Sequence, residues 1–82
     1  MYRILTERKN LQKIKAVLRR LGLDYTLVNA EGSWQGQTES SIAIELDAIT
    51  WRTTQQLAQL IKTMNDQQAV LIQTIPSSSR LI

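Results

Sequence analysis

Residues 41–46, "SIAIEL", alternate with a period of two: Ile42, Ile44 and Leu46 fall on one face of an extended chain, Ser41, Ala43 and Glu45 on the other. A strand patterned this way is half-buried, and its apolar face has to be covered by a second layer. Three further segments read as strands. "YRILT" (residues 2–6) alternates Tyr2, Ile4 and Thr6 against Arg3 and Leu5. "DYTLVNA" (24–30) is rich in β-branched and aromatic side chains. "QAVLIQTI" (68–75) is apolar and ends before Pro76, which cannot donate to a ladder.

The covering layer comes from two helices. Leu11, Ile14, Val17, Leu18 and Leu21 fall within a stripe of roughly 120° at 100° per residue. The spacing predicts a helix to about Leu21, opened by an Asn10 side chain that accepts from a first-turn amide and closed by Gly22 in the left-handed conformation. A second helix begins between Asp47 and Thr53, with Asp47, Thr50 and Thr53 as candidate caps and Thr53–Gln56 at capping-box spacing. Leu57, Leu60, Ile61 and Met64 follow at helical spacing, and Asn65 with Asp66 stops the helix. Residues 31–40 read as a polar turn whose geometry Gly32 and Gly36 serve. The order is βαββαβ, and right-handed crossovers make it a ferredoxin-like α+β fold. The sheet is expected to be antiparallel in order 4-1-3-2 with both helices on one face. Residues 1–76 form the single domain and 77–82 a short C-terminal tail.

This topology has two consequences. With Ile4, Ile42, Ile44, Leu46, Val70 and Ile72 turned to the helices, Leu5, Ala43, Leu71, Ile75 and one of Leu27 or Val28 point to the other side. An apolar cluster on an open sheet face marks a contact surface. A small domain also needs support beyond its own core. The 82 residues include no cysteine for a disulfide and no histidine for a metal, so association with further copies is the remaining means. The second consequence is convergence: "TERKN", "AEGSWQGQTES" and "NDQQ" meet at one end of the sheet. Polar groups converging on one aromatic ring make a recognition site. The candidate ligand-binding residues are Arg8, Lys9, Trp34, Gln35, Gln37, Glu39 and Gln67. Arg8 and Lys9 precede a helix N-terminus, where first-turn amides also favour anions. Trp34 reads either as a stacking platform for a flat ligand or as an anchor packed on the next subunit. Trp51 reads as packing.

Catalysis finds little to work with. Without histidine or cysteine no nucleophile–base pair can be assembled, and Ser33, Ser40 and Ser41 have no activator beyond a lysine. Glu39 and Glu45 read as carboxylates on the solvent face of a sheet. No catalytic residue, metal ligand or cofactor is assigned. The net charge of +3 raises nucleic acid as a partner, but Lys13, Lys15, Arg19 and Arg20 are spread around the polar circumference of one helix, as on an ordinary solvated face. No stretch approaches the ~20 apolar residues of a membrane span, and "MYRILTERKN" lacks the apolar run of a secretory signal. A soluble cytoplasmic protein is expected.

The glycine-flanked aromatic hairpin "GSWQGQTESS", the strand "IAIEL", the helix ending "LAQLIKTMN" and the final strand together resemble CutA-type proteins and, more broadly, PII-like ferredoxin-fold trimers. The likeness extends over residues 2–76. It implies a homotrimer with the hairpin at the subunit boundary and, for the PII-like members, nucleotides held between subunits. The histidine-proline-tyrosine segment that CutA proteins carry before the last strand is "MNDQQAV" here, so copper binding is not implied. The chain also resembles short phage and bacterial proteins of uncharacterised role. The expectation is a non-enzymatic homo-oligomer that senses or sequesters a small anionic or nucleotide-like molecule between subunits. The competing expectation is a small regulator that binds a host protein, or nucleic acid, through the basic helix or the hairpin.

Overall fold

The computed structural model describes residues 1–34 and 36–76, with side chains at all of these except 32–34, 37 and 39. Its elements are β1 (Tyr2–Glu7), α1 (Leu11–Arg20), β2 (Tyr25–Trp34), β3 (Gln37–Leu46), α2 (Trp51–Met64) and β4 (Leu71–Thr74). The strands lie in the order β2-β3-β1-β4, and every pairing is antiparallel. This is the ferredoxin-like arrangement expected from the βαββαβ order. The tail assigned to residues 77–82 lies outside the described residues.

One buried cluster holds the layers together. Ile4 of β1 and Ile42, Ile44 and Leu46 of β3 pack with Ile14 and Leu18 of α1 and Leu57, Ala58 and Ile61 of α2. Both helices therefore cover the same sheet face. Val70 and Ile72 pack against the cluster from the β4 side, and Leu27, not Val28, does so from β2. Gly22 closes α1 at φ +67°, as its position predicts. At the start of α2 the cap is Thr50, whose hydroxyl accepts from the Thr53 amide at 3.1 Å. Trp51 packs its ring 5.6 Å from that of Tyr2 and pins the helix to β1.

Four expectations are corrected. Asn10 occupies the cap position of α1, but its backbone is left-handed (φ 53°) and its side chain makes no cap bond. In that conformation, which asparagine tolerates better than most residues, the carboxamide points away from the helix and donates to the Met64 carbonyl instead. The stripe on the helices is also wider than the sheet can cover. Leu21, the C-cap of α1, is 52% exposed and Leu60 is 45% exposed. β4 begins at Leu71 rather than 68, because Asp66 turns the chain at φ 53° and Gln67 is held back by the end of α2.

The fourth correction concerns residues 31–40. They are mostly strand, paired in register from Glu31↔Ser40 through Gly32↔Glu39 to Trp34↔Gln37. Gly32 lies within β2, and Gly36, at φ +78°, has a conformation that favours glycine. β1 stops pairing with β3 at Glu7↔Ser41. The β2–β3 hairpin therefore runs on as a two-stranded ribbon, about 13 Å past that row at ~3.3 Å per residue.

Candidate functional site

The base of the ribbon meets the other two polar segments at one end of the sheet, while Trp34 lies farther out along it. The Arg8 amide donates to the Ser40 carbonyl, tying the exit of β1 to the base of the ribbon. The loop after α2 is tied in by a side-chain network. Asn65, buried at the C-cap of α2, accepts from Asn10 Nδ2 at 3.0 Å and donates to Gln67 Oε1 at 3.1 Å and Thr6 Oγ1 at 3.4 Å. Thr6 Oγ1 donates to Gln67 Oε1. Gln67 Nε2 donates to the Ala69 carbonyl. Thr6 and Asn65 are both almost fully enclosed, and a buried polar group is tolerated when its partners are supplied this way.

The predicted ligand residues divide between the two faces. β1 places Tyr2, Ile4 and Thr6 toward the helices, and Arg8 continues that series. Its guanidinium donates from Nη1 to Asn29 Oδ1 at 3.0 Å, on the helix side of β2. Lys9 turns the other way, with Nζ 3.1 Å from Glu7 Oε2. Arg8 has no carboxylate within ion-pair distance among the described side chains. Among those side chains its charge is left uncompensated, where that of Lys9 is paired with Glu7. Glu7, Arg8, Lys9 and Ser40 line a shallow depression of about 310 Å³. Next to it α1 begins with no side-chain cap and no acidic residue in its first turn. A helix N-terminus left in that state carries partial positive charge with nothing to offset it.

Gln67 is committed internally: both lone pairs of its carbonyl oxygen are taken by Thr6 and Asn65. Trp34, Gln37 and Glu39 lie in the ribbon, Trp34 paired with Gln37 and Glu39 with Gly32. Gln35 lies outside the described residues. Within one subunit, then, Trp34 stands four residues along the ribbon beyond Ala30, whose row with Ser41 is the last that β1 joins.

The open face is organised in rows. The register sets Val28, Ala43, Leu5 and Leu71 side by side across all four strands. Val28 and Leu71 are 44% and 54% exposed, while Ala43 is covered to 6% by its neighbours. The next row is Thr26, Glu45, Arg3 and Gln73, within which Arg3 Nη2 donates to Glu45 Oε2 at 2.8 Å. With Glu7–Lys9 also paired, this face carries two neutral ion pairs among the described side chains. The excess positive charge sits on α1, whose last turn carries Arg19 and Arg20, where they complement the helix dipole.

Sequence reasoning passed over Thr6, Asn10 and Asn65 as a connected set. One signal was present. Thr6 stands at a core-facing position of β1, and a hydroxyl there requires buried partners. No family model matches this chain, and none of the curated proteins matches it.

Proposed function

We propose that the protein is a non-enzymatic, homo-oligomeric module that binds a small anionic or nucleotide-like molecule where β1 gives way to α1. The observation that carries this reading is a cation with no carboxylate partner among the described side chains, beside a helix N-terminus without a side-chain cap: Arg8 is held in place by a neutral carboxamide, and Asn10 makes no cap bond to the first amides of α1. An anion seated there accepts from the guanidinium and from the amides together. Lys9 supplies a second cation once it leaves Glu7. The apolar row on the open face supports association of subunits, and the projecting ribbon that carries Trp34 supports a place for it at the subunit boundary. The ligand would be sensed or sequestered rather than transformed.

A second reading draws on the ribbon. A hairpin projecting past its sheet is a contact arm, as a small phage or bacterial regulator would use against a host protein.

Calorimetric titration with pyrophosphate and with nucleoside triphosphates tests the anion site. Charge-assisted hydrogen bonds contribute about 1.5–3 kcal/mol, so Arg8→Ala is expected to weaken binding about 10- to 100-fold. Lys9→Ala is expected to weaken it by only about 3-fold, because Glu7 already offsets that charge. Equal affinity of the Arg8→Ala variant and the parent, or no heat with any anion, contradicts the proposal.

A further inference from the structure

A broad concavity lies away from this site. It is a groove of about 660 Å³ between α2 and β4, lined by Gln55, Gln59 and Lys62 on one side and Val70 and Ile72 on the other. Lys62 is its one charge, too little to collect an anion. Its floor, however, is the edge of the sheet. β4 is the last strand in the order, paired to β1 alone among the described residues.

The ladder fixes which groups of that edge are unused. Ile75 N donates to the Met1 carbonyl, so the odd-numbered residues of β4 exchange bonds with β1, in register Arg3↔Gln73 and Leu5↔Leu71. Antiparallel pairing alternates bonded and non-bonded pairs. The backbone groups of Val70, Ile72 and Thr74 therefore point outward. Edge strands that stay unpaired are usually guarded by charge, proline or a bulge. Residues 67–75 carry no charged side chain, and the first proline is Pro76. The opposite edge, β2, has Glu31 and Gly32 within it.

We infer that the outer edge of β4 is an interface between copies of this chain, joining two four-stranded sheets into one. The occupant is a second copy because the edge is complementary to itself. Residues directly opposite in an antiparallel pair share a face, so a two-fold axis normal to the sheet has to pass through a residue paired with its own equivalent. An axis at Ile72 does this. It sets Val70 against the partner's Thr74 and Leu71 against the partner's Gln73, and Pro76 stays clear of the ladder. Each outward amide then finds a carbonyl. On the helix side the two α2 helices come alongside each other over the closed groove. Their glutamine carboxamides, each both donor and acceptor, match in either orientation. This interface adjoins the apolar row at Leu71 but is separate from the anion site, so anion affinity reports on that reading independently.

The alternation also supplies the test. Residue-resolved hydrogen exchange on the full chain is expected to show Ile72 and Thr74 amides protected alongside Leu71 and Gln73. On dilution Ile72 and Thr74 should lose protection at least tenfold while Leu71 and Gln73 keep theirs. Thr74→Pro removes an outward donor only, at an exposed side chain. It should weaken association at least tenfold in sedimentation and leave the melting temperature of the dilute protein unchanged. Gln73→Pro removes an inward donor and should lower that temperature. Three results overturn the inference: free exchange at Ile72 and Thr74 at every concentration, association of Thr74→Pro equal to that of the parent, or concentration-independent protection that is lost when residues 77–82 are deleted.

Discussion

Ile44→Ala is expected to cost about 4 kcal/mol, within the ~2–5 kcal/mol found when a buried isoleucine is cut back to alanine. Ile44 is fully buried at the centre of the sheet, with Ile4 opposite on one side and Leu27 on the other. Helices cover it from above and strands flank it, so the cavity has little means of collapsing. A domain of 82 residues has a total stability of roughly 4–12 kcal/mol at ~0.05–0.15 kcal/mol per residue. The substitution thus removes a third or more of what holds the fold. At about 4–8 °C per kcal/mol the melting temperature should fall by ~15–30 °C. Ile44→Val, which loses a single methylene, should cost about 1 kcal/mol. Urea titrations of the two variants check both values. A loss under ~1.5 kcal/mol for the alanine would mean that the core does not depend on this contact.

Asn65→Ala should cost about 2–4 kcal/mol although it deletes no hydrophobic contact. The side chain accepts from Asn10 and donates to Thr6 and Gln67. Each such bond contributes about 0.5–1.5 kcal/mol, and a buried group stranded by its removal costs a further ~1–3 kcal/mol. Truncation leaves Thr6 and Gln67 bonded to each other but frees Asn10 from its buried acceptor. Thr6→Val is the milder control. It removes the hydroxyl at nearly constant shape and should cost about 1 kcal/mol beyond the loss at Gln67. If Asn65→Ala unfolds at the same urea concentration as the parent, the network does not hold the three segments together. Its larger consequence is positional: Asn10 and Arg8 stand on the short connection that this network anchors, so the loop should also lose anion affinity.

The layers of the fold were legible because burial leaves a period in the sequence. Ile42, Ile44 and Leu46 repeat at two, and Ile14 and Leu18 at four, since each faces a covered side. The same logic separated Leu71 from Ile72. It failed on residues 31–40 because, among the described residues, no layer backs either face of the ribbon. Without burial there is no period, and the backbone ladder forms there without needing one. Periodicity likewise includes Leu21 and Leu60 in the apolar stripes although the sheet beneath does not reach them. At the candidate site the meeting of the loops followed from topology alone. Which way Arg8 and Lys9 turn did not, because that depends on Asn29 and Glu7, partners brought in by pairing with a distant strand and by local geometry. Asn10 was misread for a different reason: its cap role presumes an extended backbone, and the left-handed turn is set by contact with Met64 and Asn65, more than fifty positions away.

Native mass spectrometry of the protein taken directly from cells bears on assembly and ligand in one spectrum. The account predicts a discrete oligomer whose mass exceeds the sum of its chains by a small anionic molecule, and that excess should vanish in Arg8→Ala while the subunit number stays the same. A bare 82-residue monomer at micromolar concentration would contradict it.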